Sequence, residues 1–238
     1  MIIMNQNTIE ELLSSLGQFE AMIDKAEISS KKKYFDGETQ ALKDIRLFLN
    51  GLISKIAGTL RTSIKHPTFE KGYQIALSAS FIRTHFLLHR LLFEGHGVEA
   101  MTLCRKNLEN LTRIYELDKN TIIKLSKKTP NVRNILGNLG KFLYPTLSEI
   151  AHFGTMDISA LLSTKIESGI HSVSIYPNYE AEFQNLINAD IVISLRFLAW
   201  LILFCELNLD YNPKEDMEIL YVLGNMCIEE KILVLSKA

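Results

Sequence analysis

Several residues of this chain have the types and spacing that chemistry needs. His85 and His89 stand four apart, so on a helix they share one face and could both reach one metal ion. A third ligand would be required, and His96, Glu94 and His152 are the candidates for it. The plainer reading places both histidines at the edge of a helix bundle. On that reading no metal site and no cofactor are expected. Arg83 precedes His89, and Arg90 precedes His96, with five residues between the members of each pair. Arg90 and His96 are the better placed, because His96 falls in the turn Gly95-His96-Gly97, where a ligand could enter. Glu149 and His152 have Glu-x-x-His spacing once, whereas a di-iron bundle needs it on two helices.

A second group is spread further along the chain. Arg105 and Glu109 lie four apart and can pair directly on one helix face. Tyr144, Ser148 and His152 form one stripe of a short helix, with Glu149 beside it. Arg196 interrupts the most apolar stretch of the protein. A buried charge there costs several kcal/mol unless it is paired, and Glu109 and Glu149 are the best acids for that purpose. The expectation is an interior polar cluster of Arg105, Glu109, Glu149, His152 and Arg196. Arg105 and Glu109 should approach His152 in space, and Arg196 should be buried and ion-paired.

Longer text around these residues carries a resemblance. Leu91-Leu92-Phe93-Glu94-Gly95 is followed by Glu99-Ala100, Leu103, Arg105, Leu108 and Glu109. Tyr144, Leu147-Ser148-Glu149 and His152 come later. This resembles an uncharacterised prokaryotic all-helical family whose members show Glu-Ala-x-x-Leu-x-Arg-x-x-x-Glu and then Tyr-x-x-Leu-Ser-x-x-x-His. The likeness covers about Ile75 to Phe153. It departs at Lys106-Asn107, where small, Ser-containing text is commoner. That family is similar to HEPN-like domains. HEPN-type ribonucleases carry an Arg, four to six residues, then a His near a helix end. The resemblance implies that the Arg holds phosphate and the His acts on the ribose hydroxyl.

The elements that must position these residues are helical throughout. Thr8 and Glu11 have capping-box spacing, and Leu12, Leu13, Leu16, Phe19 and Ile23 follow at three- and four-residue steps. A first helix is predicted to end near Glu27, with Lys31, Lys32, Lys33 and Gly37 forming a solvated connection. Helices are predicted over Glu38 to Lys65, Thr68 to Glu94 and Val98 to Leu117, with His66-Pro67 breaking the first of these from the second. The short Gly95-His96-Gly97 turn makes the last two antiparallel neighbours. Short helices follow over Lys119 to Lys128, Asn131 to Phe142 and Pro145 to Phe153, with Pro145 at a first helical position. His171 to Tyr176 alternates weakly, as an extended segment would. Asn178 to Leu209 is a long apolar helix, and Asn212-Pro213 starts the last one, ending near Leu235. Phe197, Trp200 and Phe204 read as core aromatics. The fold class is all-α, a bundle of about six to nine helices with a central antiparallel hairpin. One domain is expected over residues 1–238, with 1–65 as an appended hairpin and 68–238 as the core bundle.

Composition limits the function classes. The chain has 238 residues, 47% hydrophobic and 22% charged, with a formal charge of -1. That excludes disordered and collagen-like classes and argues against a dedicated binder of duplex DNA. Cys104, Cys205 and Cys227 are isolated in apolar runs and read as reduced core residues. Met1 to Met4 lack a basic n-region, so no secretory signal is evident. Ile191 to Cys205 is short for a span and contains Arg196. A cytoplasmic protein without membrane contact is therefore expected. The functional expectation is a HEPN-like, metal-independent ribonuclease or toxin-type defence effector against phage. It would act on RNA, as a homodimer, with a protein partner encoded nearby. Its catalytic candidates are His152, His96, Arg105, Arg90 and Glu109, and Glu149, Arg196 and Tyr144 are binding candidates. The alternative is a non-catalytic interaction or sensor module whose polar cluster is structural and closed.

Overall fold

The computed structural model describes residues 6–152, 163–167 and 170–233. Phe153, Met1 to Met4 and Leu235, which bound some of the expected segments, lie outside the described residues. Nine helices occur among those described: α1 (Gln6–Gly37), α2 (Gln40–Thr59), α3 (Phe69–Glu94), α4 (Gly97–Leu117), α5 (Ile122–Leu125), α6 (Val132–Ile135), α7 (Asn138–Ala151), α8 (Phe183–Asn208) and α9 (Lys214–Glu229). The protein is all-α, with one small addition. Two strands, β1 (Ser163–Glu167) and β2 (Ile170–Val173), pair antiparallel, with Glu167 opposite Ile170. Of the segment expected to be extended, His171 to Tyr176, the first three residues fall in β2, which ends at Val173.

Local chemistry sets most boundaries. Thr39 and Thr68 cap α2 and α3 by accepting from the amides of Leu42 and Lys71. Gly95 ends α3 in the left-handed region at φ 91°, and the amide of His96 donates back to the carbonyl of Leu91. Several boundaries differ from expectation: α2 ends at Thr59 rather than Lys65, α8 begins at Phe183 rather than Asn178, and α9 ends at Glu229. α1 does not stop near Glu27 but continues through Lys31 to Lys33. Lysine is a good helix former, and buried Ser30 and Tyr34, four apart, hold this part of α1 against the body while the lysines face water. Pro145 lies inside α7 rather than at its start.

The core is one main cluster. α3 packs most extensively on α4, α7 packs on α4 and α6, and α9 packs on α2 and α8. Ile45, Leu49, Leu52, Ile53 and Ile56 carry α2 into that core. The rings of Phe81, Phe197, Trp200 and Phe204 stack in sequence through it. α8 is long and apolar enough to cross a membrane by length and composition, and 67% of its most apolar window is buried inside the fold. The apolar stripe at the start of α1 is different. Leu12, Leu13, Leu16 and Phe19 are all exposed.

The α3–α4 turn is fixed by contact. A Cβ on Gly97 would stand 2.1 Å from the Phe183 ring at the start of α8. Gly97→Ala is expected to destabilise the protein by about 1–3 kcal/mol through overpacking. Denaturant unfolding measures this directly, and an unchanged midpoint would show that Phe183 moves aside freely.

All three cysteines are free and buried. Burial pushes the Cys227 thiol up to about 11 and raises Cys104 and Cys205 as well. Because the thiolate is the reactive form, none of the three should react with an aromatic disulfide reagent in the native protein. All three should react after denaturation. Rapid native labelling of any one would contradict this packing.

Candidate functional site

Two polar clusters stand out, an open one between α4 and α7 and a closed one between α2, α3 and α8. The open cluster joins α4 to α7. Arg105 extends from α4 with its Nε donating to Glu109 Oε1 at 3.1 Å. The Tyr144 hydroxyl, from α7, donates to the same oxygen at 2.9 Å. The guanidinium carbon sits 5.4 Å from the centre of the Tyr144 ring. Arg105 is thus held by an acid on one edge and an aromatic face beside it. Burial works against its charge, but Tyr144 and Glu109 more than offset this and raise its pKa above the ordinary value. Its Nη1 donates to Nε2 of His152, the C-cap residue of α7, at 2.7 Å. With Nε2 accepting, a neutral His152 carries its proton on Nδ1.

The expected approach of Arg105 and Glu109 to His152 is therefore present, across 47 residues of sequence. Pairing at i, i+4 and the packing of α7 on α4 produce it. The cluster is also accessible. His152 is exposed, and Arg105 and Glu109 are partly exposed.

The other expected members are elsewhere. Glu149 is exposed on α7, and no hydrogen bond or ion pair to Arg105, Glu109 or His152 is present among the described residues. Arg196 is exposed on α8, not buried and ion-paired as expected. Its Nη1 donates to the carbonyl of Leu136 at 3.3 Å, and no acid pairs with it among the described residues. The reason is angular: Leu195 and Phe197 turn into the core, while position 196 falls on the one strip of α8 that faces outward. The buried, ion-paired arginine is Arg46 of α2. It makes a two-pronged contact to Glu38, with Nε and Nη2 each 2.7 Å from a carboxylate oxygen, and lies over the Phe35 and Phe93 rings. Arg196→Leu should consequently change stability by no more than about 0.5 kcal/mol, as for other surface substitutions. A larger loss in chemical denaturation would place Arg196 in the core after all.

Among the described residues, Arg90 and His96 meet only through Glu94, which Arg90 pairs with and whose carboxylate lies within 4.8 Å of a His96 ring nitrogen. Arg90 is exposed and pairs with Glu94 on its own helix. His96 bonds Glu27 of α1 at 3.0 Å through Nε2. Neither shares a hydrogen bond with the Arg105–His152 pair among the described residues. Glu27, Glu94 and His96 do converge, half-buried. Arg83 and His89 diverge: Arg83 lines a cleft of about 430 Å³ with Lys106 and Ser80, while His89 points inward.

The closed cluster corrects the reading of His85 and His89. They are not at the edge of the bundle but inside it, with 0% and 3% exposure. Both face the same oxygen of Asp190, from α8. His85 Nδ1 lies 2.6 Å from Asp190 Oδ2, and His89 Nε2 lies 3.1 Å from it. On the far side of the His85 ring, Nε2 faces Asn50 Oδ1 at 2.8 Å. Ser194, one turn beyond Asp190, places its hydroxyl 3.2 Å from His85 Nδ1. Burial raises the Asp190 pKa, yet the charge and hydrogen bonds of His85 and those of His89 outweigh it and hold the carboxyl below the ordinary range. Burial, aided by His85, lowers the His89 pKa against the pull of Asp190.

Asp190, Asn50, Ser194 and Arg46 escaped the sequence reading. A signal for Asp190 was present, since it is an acid inside the same apolar helix that drew attention to Arg196. No protein family, curated protein or solved structure matches this chain.

Proposed function

We propose that this protein is a HEPN-like, metal-independent ribonuclease of a prokaryotic cytoplasm, with the Arg105–His152 pair as its reactive centre. The observation that carries the reading is the 2.7 Å contact between Arg105 Nη1 and His152 Nε2 in an open position. A purely structural network is expected to be closed, as the Asp190 cluster is. An arginine fork is the strongest phosphate donor a side chain offers. A neutral imidazole whose Nε2 carries no proton can serve as a general base once Arg105 turns to the phosphate.

The chemistry then follows from the parts. A phosphodiester anion takes the Arg105 Nη groups and releases His152 Nε2. That nitrogen accepts the proton of the adjacent ribose 2′-hydroxyl. The 2′-oxygen bonds to phosphorus, the bond from phosphorus to the 5′-oxygen breaks, and the proton returns from His152 to the leaving oxygen. Products are a 2′,3′-cyclic phosphate and a free 5′-hydroxyl. Glu109 and Tyr144 keep Arg105 in place and do not touch the substrate. Arg83 and Lys106 in the cleft between α3 and α4 add positive charge for the strand's other phosphates. Homodimer formation, a partner encoded nearby and a role in defence belong to this reading as expectations.

The test is a labelled single-stranded RNA incubated with purified protein, with and without EDTA. Cleavage that survives EDTA and leaves cyclic phosphate ends is expected. Absence of cleavage across varied RNAs would favour the second reading, a non-catalytic interaction module. That alternative draws on the exposed Leu12, Leu13, Leu16 and Phe19 of α1, an apolar stripe of which only Phe19 has a ring contact, with Tyr176, among the described residues.

A further inference from the structure

We propose that His85, His89 and Asp190 form a buried structural site for one first-row divalent transition metal, zinc above all, that staples α3 to α8. His85 Nδ1, His89 Nε2 and a carboxylate oxygen of Asp190 all lie within 4.8 Å of one another. They converge from two helices that are far apart in sequence. His85 and His89 share a face because they are four apart, and Asp190 opposes them from α8, 101 residues after His89.

The hydrogen-bond inventory of the cluster favours a cation. Without one, both nitrogens of His85 face acceptor oxygens, Asp190 Oδ2 on one side and Asn50 Oδ1 on the other. The second carboxylate oxygen, Asp190 Oδ1, is buried with no donor. A buried charged oxygen left without a partner is expensive. A protonated His85 satisfies its own two acceptors but leaves Asp190 Oδ1 without a partner, whereas a divalent ion serves both groups. His85 coordinates through Nδ1 and keeps a single proton on Nε2, which it donates to Asn50 Oδ1. That is the outer arrangement by which metal-ligating histidines are oriented. Asp190 then has a cation for its second oxygen also.

Donor type selects the ion. Two imidazoles and one carboxylate suit zinc and its first-row neighbours, whereas calcium and magnesium take mainly oxygen. Burial selects the role. All three side chains are enclosed, so no substrate reaches the ion. The site shares no residue with the Arg105–His152 pair, and either assignment can fail without the other.

Untagged protein purified without chelator is expected to contain about one zinc or other first-row ion per chain by elemental analysis. Protein stripped by unfolding in chelator and refolded without metal is then titrated with zinc chloride or cobalt chloride. The melting temperature should rise, and cobalt should give the visible absorption of a low-symmetry site. Asn50→Ala should keep the stoichiometry and weaken zinc about 10–100-fold, the usual effect of losing an outer partner. Asp190→Asn should abolish the cobalt band; if that variant does not fold, the wild-type and Asn50→Ala titrations decide. Folded wild type that holds no metal and gains no thermal stability from zinc or cobalt would overturn the site. So would unchanged zinc affinity in Asn50→Ala, or a normal cobalt band in Asp190→Asn.

Discussion

Substituting alanine for His152 is expected to reduce RNA cleavage by about 10²–10⁴-fold, the range for loss of a positioned general base. Folding should survive, because His152 is an exposed C-cap residue and surface changes stay within about 0.5 kcal/mol. Arg105→Ala should lose activity too. Arg105→Lys keeps the charge but not the planar fork, so it should recover only part of the rate. Tyr144→Phe and Glu109→Gln, which position Arg105, should raise KM more than they lower kcat. Initial rates on one labelled RNA, with a melting curve for each variant, separate these outcomes. Full activity in His152→Ala would remove His152 from the chemistry and with it the proposed centre. Loss of activity only in variants that also unfold would leave the cluster structural.

Asp190→Ala should have the largest effect on stability, about 3–5 kcal/mol, as when one partner of a buried charged network is removed. For a chain of this size that corresponds to a fall in Tm on the order of 10 °C. The physical reason is that His85 and His89 remain enclosed and lose the one oxygen they both face. Replacing all three residues by leucine should cost less than the single change, since no charged or imidazole group is then left enclosed and only the Asn50 and Ser194 side chains lose a partner. The same logic had been expected to apply to Arg196, but the buried charge of α8 is Asp190. Denaturant melts of the single and triple variants provide the comparison. A single variant as stable as wild type would mean that the histidines find other partners or water.

How far each site could be read from sequence follows from its geometry. Arg105 and Glu109 are joined by helical periodicity alone, and Tyr144, Ser148 and His152 by the same rule on α7. Their convergence needed only that α4 and α7 pack together. The reading of Arg196 failed because apolar runs on both sides of a residue do not specify its angle about the helix axis. Position 196 lies on the outward strip, and positions 190 and 194 lie on the inward one. α1 extended past Glu27 because a lysine run is compatible with both helix and loop, and the burial of Ser30 and Tyr34 against the body decided between them.

By itself the sequence determined the helical class, because three- and four-residue apolar spacing runs through nearly the whole chain. It also determined the α3–α4 turn at Gly95 to Gly97 and the face shared by His85 and His89. These are local properties, set by backbone angles and by periodicity within one helix. Only the tertiary structure decided that Asp190 meets those two histidines, that Arg46 rather than Arg196 is the buried arginine, and that the Arg105–His152 pair lies open to solvent. Each of these depends on the rotation and spacing of helices packed side by side. That rotation is fixed by the sum of many side-chain contacts between segments far apart in the chain, such as the Phe81–Phe197 stack and the Gly97–Phe183 contact.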